Sequence, residues 1–486
     1  MKSKRWKTLV HNGVLFQPPY RRSKARLFFK KKALRLSDEA HEAAYLFSRC
    51  MNGPLVDDPL FVENFLDDLR KLLGGDAPPA TAPWTEYDFS EFVAFPPPKV
   101  APEKSDKHGF CVLDGRKEKL INFVVEPAGL FRGRGSNPLT GRIRRRIVPE
   151  DVTLNLSKGA PVPRPNVGGS WGSVVENRGV IWVASWRDPL TKITKYCFPA
   201  RESGIRGKQD RSKFDMALRL GQRVAAVRKK YRGLLGSGDR VERQLATATY
   251  LVDTLLIRVG NERIRGEVVG VTNLKKKHLR LGPTCVGVLD FLGKDSIRFH
   301  RKVALGSAVC RNLLEAMEGK RDEDELFDLV SSKTLNRFLQ SLMKGLTGKV
   351  FRTYNASKMY QDLLDKVSSQ DEETVLQKLE EATRVVAEAC NHRRAKPASS
   401  KQLRKLQAQL AATTDKRKAE ALRRALKKLR AAKDLNLSTS RDNYIDPRVT
   451  VAFLRRKGVA PERVFTPQQV RVFQWALKDK AEVRYQ

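Results

Sequence analysis

The sequence predicts an α+β chain, predominantly helical, with its strands gathered in the N-terminal half. Three observations carry this. Short runs rich in β-branched and aromatic residues, bounded by turn residues, fall between residues 109 and 200. Apolar residues at helical spacing fill most of 214–391. A basic stretch with two leucine seams, 398–435, then sets residues 436–486 apart. At 486 residues the chain is too long for one core, so two to four domains are expected.

In chain order, residues 1–20 end in the turn Pro18-Pro-Tyr20, and a basic run follows from Arg21 to Lys32, with Phe28 and Phe29 marking a folded piece. Ser37 is placed to cap a helix carrying Ala44, Leu46, Phe47 and Met51, stopped by Asn52-Gly53-Pro54. A second helix is expected from Pro59 to Leu73, stopped by Gly74-Gly75. Pro-rich linkers follow at 77–83 and 96–98. Strands are expected at Phe110–Gly115, Ile121–Val125 and Val180–Trp186. Between them lies Phe131-Arg-Gly-Arg-Gly-Ser136, whose glycines would let a backbone approach a phosphate chain closely.

From Phe214 to about Arg280 the pattern is mostly helical, with a buried helix, Tyr250–Arg258, ending in one cation. A hairpin is expected over Lys277–Leu281 and Val286–Leu292, leading to Gly293-Lys294-Asp295. Helices resume through Leu313, at Leu326–Leu342, Val350–Tyr360 and Glu372–Asn391. Residues 398–435 hold twelve lysines and arginines against three acids, with leucines at 403, 406, 410, 422, 426 and 429. That is the pattern of two short helices folded back on each other. Tyr444 then sits in a polar turn running into an apolar helix.

Charge is the loudest global signal. With 94 Lys+Arg against 54 Asp+Glu the balance is +40, which self-repels in a compact chain and calls for a polyanionic partner. Nucleic acid fits, with binding that weakens steeply with salt. No membrane partner is expected: there is no apolar run of transmembrane length, no lipidation motif and no secretory signal. The six cysteines are dispersed and read as reduced, buried thiols. His108 and Cys111 have no second ligand pair at zinc spacing, so no metal is expected. Gly293-Lys294-Asp-Ser296 lacks the upstream glycine of a phosphate loop, so no nucleotide cofactor is expected either.

A tyrosine that attacks a phosphodiester needs orientation and deprotonation, since its ordinary pKa is about 10. The non-bridging oxygens need fixed cationic donors, and the leaving oxygen needs a proton. Arginine suits the first task by its always-charged planar fork, and lysine suits the second. Arg258, Arg352, Lys294 and His392 are the candidates, beside Tyr444.

Six stretches in order then carry a resemblance: Phe131-Arg-Gly-Arg-Gly135, Arg258-Val-Gly-Asn-Glu262, Phe291–Arg298, Lys349–Ser357, Cys390-Asn-His392 and Asn443–Arg448. Together they resemble the eukaryotic-type DNA topoisomerases IB, from about Trp6 to the C-terminus. The resemblance implies that Tyr444 is the nucleophile, that Arg258 and Arg352 hold the scissile phosphate, that His392 binds a non-bridging oxygen, and that Lys294 protonates the leaving 5′-hydroxyl. It further implies that Arg132, Arg134, Arg206, Asp295 and Asn443 contact DNA. Of these, Arg134, Asp295 and Asn443 match positions that meet camptothecin-type poisons. The implied enzyme relaxes supercoiled double-stranded DNA through a 3′-phosphotyrosyl link, with no ATP, cofactor or metal. It acts in the nucleus, or in the viral particle or host cell if the source is viral, as a monomer clamped around the duplex.

The resemblance also implies a bilobed clamp. Residues 1–196 form the strand-rich lobe, with cap helices at about 21–89, and 197–397 the helical catalytic lobe. Residues 398–435 form a short coiled-coil linker, and 436–486 carry the tyrosine. Set against the family, the chain is expected to lack the charged N-terminal region and to carry a reduced cap, a shorter linker and a shortened loop at 266–278. The last is similar to poxvirus-type enzymes, which fits a viral or protist source. Tyrosine recombinases share the fold and the same reactive residue types, but Lys349 stands where they carry the histidine of His-x-x-Arg. A non-enzymatic basic nucleic-acid binder would account for the charge and leave five reactive positions unexplained.

Overall fold

The computed structural model describes residues 4–97, 107–133, 137–260, 268–393, 400–413, 415, 418–423, 426, 435–479 and 481–486. Helix and strand are mixed, as expected, and the contacts divide the chain into two compact units, Met1–Arg206 and Gly207–Gln486.

The first unit holds a seven-stranded sheet in the order Leu9–His11, Phe110–Leu113, Arg116–Ile121, Thr194–Pro199, Ala184–Arg187, Val152–Asn155, Ser173–Val175. All pairings are antiparallel except the last, where Ser173–Val175 runs parallel to Val152–Asn155. The tight turn at Asp114-Gly115 has positive φ at both residues, the geometry a two-residue hairpin needs. Trp6, Leu9, Phe16, Val152, Leu154 and Trp186 belong to one core packed with this sheet. A second core in this unit gathers Phe47, Phe61, Phe65 and Phe89 between helices Asp38–Ser48 and Pro59–Leu73. Ser37 and Asp58 accept backbone N–H groups at the two starts, and Gly74 closes the second helix in the left-handed region.

Two strand expectations shift. The strand expected at Ile121–Val125 ends at Ile121, because Asn122 turns to φ 58°. The strand expected at Val180–Trp186 begins at Ala184.

The second unit is built on helices Arg240–Thr254, Ser332–Leu342, Gly348–Leu364 and Glu372–Ala389 around one core that includes Leu251, Phe351, Tyr360 and Leu379. A three-stranded sheet, Leu279–Leu281, Val286–Gly293 and Ile297–Ala304, packs onto it through stacked Phe291 and Phe299, 4.9 Å apart. The third strand is a correction to the helical expectation after Lys294: Ile297, Phe299 and Arg301 alternate with Arg298, His300 and Lys302 at strand period. Another correction concerns Arg258. The helix ends at Thr254, and Leu256 at φ 57° starts an extended segment, so Arg258 lies beyond the helix rather than at its end.

The helix expected at Leu326–Leu342 begins at Ser332. In the basic stretch, Ser400–Ala411 and residues 418–423 are helical, and the remainder of the expected pair lies outside the described residues. The polar turn expected around Tyr444 is instead a helix, Leu437–Asn443, capped by Tyr444. Cys285 and Cys310 are joined in a disulfide rather than reduced, because the hairpin turn and the helix Ser307–Met317 bring their Cα atoms to 5.7 Å. The other four cysteines are buried free thiols.

Candidate active site

The helix Gly348–Leu364 lies in the core of the second unit and turns Arg352 inward, where it is 3% exposed. Its Nη2 donates to the carbonyl of Cys390 at 3.0 Å, while its buried Nε has no hydrogen-bond partner among the described residues. Beside it, the helix Glu372–Ala389 ends in a left-handed Asn391, φ 54°, a conformation asparagine tolerates. The reversal lets His392 N–H donate back to Ala387 O and sends the imidazole inward, 4% exposed. Its Nδ1 meets Ser440 Oγ at 2.7 Å, and its buried Nε2 has no partner among the described residues. Buried donors are almost always paired. Two such nitrogens on one wall point to an acceptor that the described residues do not provide.

Tyr444 completes this wall. Its ring centre lies 4.8 Å from that of His392, and the Arg352 guanidinium sits 4.9 Å over its face. Its position is fixed from both ends. Tyr444 N–H and Ile445 N–H both donate to Ser440 O. Ser357, on the same helix as Arg352, donates to Tyr444 O and accepts from Asp446 N–H, each at 3.0 Å. Asp446 is fully buried, caps the helix Pro447–Arg456 and pairs with Arg448, while Tyr485 Oη donates to it at 2.9 Å.

Arg258 and Lys294 approach from other elements. Arg258 is held by its carbonyl, which accepts from Val271 N–H. There two glycines touch: a Cβ on Gly270 would lie 2.4 Å from Gly260, which itself has φ 109°. Lys294 opens the turn Lys294–Ser296 between two strands of the sheet. A cavity of about 250 Å³ is lined by Arg258, Lys294, Arg352, His392, Asn436 and Asn443. A second, of about 680 Å³, shares Arg258, Lys294 and Arg352 and adds Lys349 and Tyr444.

The electrostatics agree with this convergence. Burial, then the charges of Arg352, Arg258 and Lys294, push the His392 pKa down to about 3. The imidazole is therefore neutral at physiological pH and can offer one N–H. The Cys390 thiol is raised by burial, against the pull of Arg352 and Arg258.

All five residues expected to be catalytic thus meet in one unit, and Asn443 joins them. Arg132 and Arg206 belong to the first unit: Arg132 Nη2 lies 3.7 Å from Cys50 Sγ, and Arg206 stacks 5.3 Å over Phe198. Arg134 and the side chain of Asp295 lie outside the described residues. Gly133 is explained locally, since a Cβ there would meet Asn137 and Thr140 of its own loop. Residues that sequence reasoning missed are Ser440, Ser357, Asp446 and Arg301. The last donates to Leu255 O, Glu388 O and Ala389 O, tying the sheet to both neighbouring segments.

Three family models match in succession: "Eukaryotic DNA topoisomerase I, DNA binding fragment" over residues 4–101 and 98–199, "Eukaryotic DNA topoisomerase I, catalytic core" over 202–426, and "C-terminal topoisomerase domain" over 416–485. The chain is 34% identical over 550 residues to a human protein named DNA topoisomerase 1, covering 99% of this chain and 72% of the relative. It is 40% identical over 417 residues to the Candidozyma auris protein of the same name, covering 80% and 55%. A human protein named DNA topoisomerase I, mitochondrial, is 34% identical over 542 residues, covering 97% and 90%.

Proposed function

The chain belongs to the eukaryotic DNA topoisomerase I family, and from that premise we propose a role for each side chain at the cavity. The protein is a type IB DNA topoisomerase that relaxes supercoiled duplex DNA without ATP. Tyr444 Oη attacks the scissile phosphorus. The bond from phosphorus to the 5′ oxygen breaks, a 3′-phosphotyrosyl link forms, and the phenolic proton leaves to solvent. The Lys294 ammonium gives its proton to the departing 5′ oxygen. Arg352 and Arg258 meet the non-bridging oxygens, where negative charge grows, and His392 donates to one of them from Nε2. The free end swivels about the intact strand, and the 5′-hydroxyl attacks the phosphotyrosine in reverse.

The observation that carries this reading is the convergence of Arg258, Lys294, Arg352 and His392 on one cavity beside the phenol, where Arg352 Nε and His392 Nε2 have no partner among the described residues. Both match the acceptors of a phosphodiester, and burial without such an acceptor is costly. Arg132, Arg134, Arg206, Asp295 and Asn443 add contacts to the DNA, and Arg134, Asp295 and Asn443 line the place of a camptothecin-type inhibitor. The units work as a bilobed clamp on double-stranded DNA, the protein acts as a monomer, and the nucleus is its compartment. The test is to trap the protein on a suicide substrate, digest it and sequence the DNA-linked peptide. A 3′-linked peptide containing Tyr444 is expected, and a link at another residue refutes the assignment.

A further inference from the structure

His392 carries one ring proton while neutral, and it can serve an anionic oxygen only if that proton is on the nitrogen facing the cavity. A lone pair in that place would repel the oxygen instead. What decides the matter is the partner of the other nitrogen. That partner is Ser440 Oγ, 2.7 Å from Nδ1 and fully buried.

A serine hydroxyl can donate or accept. Among the described residues, Nδ1 of His392 is the one hydrogen-bond partner of Ser440 Oγ. If the imidazole were the donor, the hydroxyl proton would be buried facing no described acceptor, at the cost of an unsatisfied polar group. If the hydroxyl donates, its proton is used, Nδ1 accepts, and the ring proton lies on Nε2. We propose that Ser440 is a positioning residue whose hydroxyl donates to His392 Nδ1 and so fixes the tautomer that presents Nε2–H to the scissile phosphate. The inference rests on the reading of His392 as a donor to a non-bridging oxygen.

The backbone of Ser440 gives the arrangement a second use. Its carbonyl accepts from Tyr444 N–H at 3.0 Å and from Ile445 N–H at 2.9 Å. Asn436 N–H, at the start of the same helix, donates to His392 O at 2.7 Å. One turn of helix therefore sets both the protonation pattern of the histidine and the placement of the nucleophile. A side-chain change at Ser440 removes the first function and leaves the second.

The experiment is a double-mutant cycle with a spectroscopic arm. Single-turnover cleavage of a suicide duplex is measured for wild type, Ser440→Ala, His392→Ala and the double variant, with DNA affinity measured alongside. Ser440→Ala is expected to slow cleavage about 10-fold, the lower end for losing a partner that orients an active histidine. In the His392→Ala background the same change should cost less than about twofold, since it acts only through His392. Equal slowing in both backgrounds would make Ser440 merely structural and overturn the proposal. In ¹⁵N-histidine-labelled wild-type protein, the His392 resonances should report a protonated Nε2 and an accepting Nδ1. A protonated Nδ1 overturns the proposal whatever the kinetics, and this arm stands even if Ser440→Ala fails to fold. If His392→Ala leaves cleavage unchanged, the phosphate role of His392 is what fails, and the tautomer is still judged by the spectrum.

Discussion

Two arginine–tyrosine clusters share the helix Gly348–Leu364, and they end differently. In one, Arg228 donates to both oxygens of buried Asp253 at 2.8 and 2.9 Å and to Asn355 Oδ1 at 3.0 Å. Tyr231 donates to the same carboxylate, and Asn355 Nδ2 donates to it as well. In the other, Arg352 faces Tyr444 and His392, and among the described residues it pairs with no acid: its hydrogen-bond partner is a backbone carbonyl. The first cluster carries its own anion, so its charges are balanced by folding. The second holds a buried cation for which the described residues supply no counter-charge, which suits it to an anionic ligand. The difference separates a structural cluster from a binding one more sharply than residue type, since both contain an arginine and a buried tyrosine.

The largest expected effect comes from removing the two phenols. Tyr444→Phe should abolish the covalent DNA adduct while DNA affinity stays within about twofold, because the ring and its packing remain. Tyr231→Phe should leave the adduct intact and lower stability by about 1–2 kcal/mol, the cost of unpairing a buried hydrogen bond. Loss of binding by Tyr444→Phe would make that residue structural and erase the contrast.

Exchanging the arginines comes next. Arg352→Ala should slow single-turnover cleavage about 10²–10³-fold, the usual loss for one donor to developing charge. Arg228→Ala should instead cost about 2–4 kcal/mol in urea unfolding, because Asp253 is left buried and charged. Comparable cleavage rates for the two variants, corrected for folded fraction, would refute the division.

The histidines give a smaller effect, read by pH. His11, in the first unit, is pushed down to about 4 by burial, as His392 is to about 3. At His11 the tautomer is set by backbone: Nε2 faces Asn155 O, a pure acceptor, and Nδ1 accepts from Gly13 N–H. Its ring is fully used, whereas that of His392 has one nitrogen left for the cavity. Between about pH 4 and 6.5 the unfolded chain protonates His11 and the folded one does not. Stability from this group is thus complete above 6.5 and falls as pH drops through that window, by about 1.4 kcal/mol per pH unit. His11→Gln should flatten the slope by that amount in pH-dependent unfolding, and cleavage should show no inflection near pH 6.5 from His392. An inflection there, lost in His392→Ala, would mean the imidazole is charged in use.

What could be read from the sequence follows the range of the signal. The helix Pro59–Leu73 was legible to the residue because its start, Asp58-Pro59, and its stop, Gly74-Gly75, are local. Arg258, Lys294, Arg352, His392 and Tyr444 were legible as members of short motifs, though which cavity they share was not. Ser440 was not, since its partner lies 48 residues away and a serine carries no mark of the histidine it will meet. The strand Ile297–Ala304 was hidden because its exposed face is charged and its alternation follows a turn that reads as a helix start. The Cys285–Cys310 pair, 25 residues apart in a hairpin turn and a helix, shows no spacing signal either.

The smallest effect expected concerns Arg301, whose guanidinium belongs to neither kind of cluster. Among the described residues it meets no acid; burial lowers its pKa, and its donors go to three carbonyls, Leu255, Glu388 and Ala389. The two from Glu388 and Ala389 end the helix that delivers His392, where carbonyls lack partners and a cation is favoured. The one from Leu255 begins the segment that delivers Arg258. Arg301 itself stands on the strand that follows Lys294. It therefore ties together the segments behind three of the proposed catalytic residues without touching the cavity. Arg301→Met keeps most of the volume and removes the donors. It should cost about 1–3 kcal/mol in unfolding, as for hydrogen bonds from a charged group, and slow cleavage only a few-fold. Arg301→Lys, with one ammonium in place of the fork, should fall between, because it can reach fewer of the three carbonyls at once. A stability loss with unchanged cleavage would make Arg301 a structural brace like Arg228. Slowing as large as that of Arg352→Ala would place it among the groups that face the phosphate.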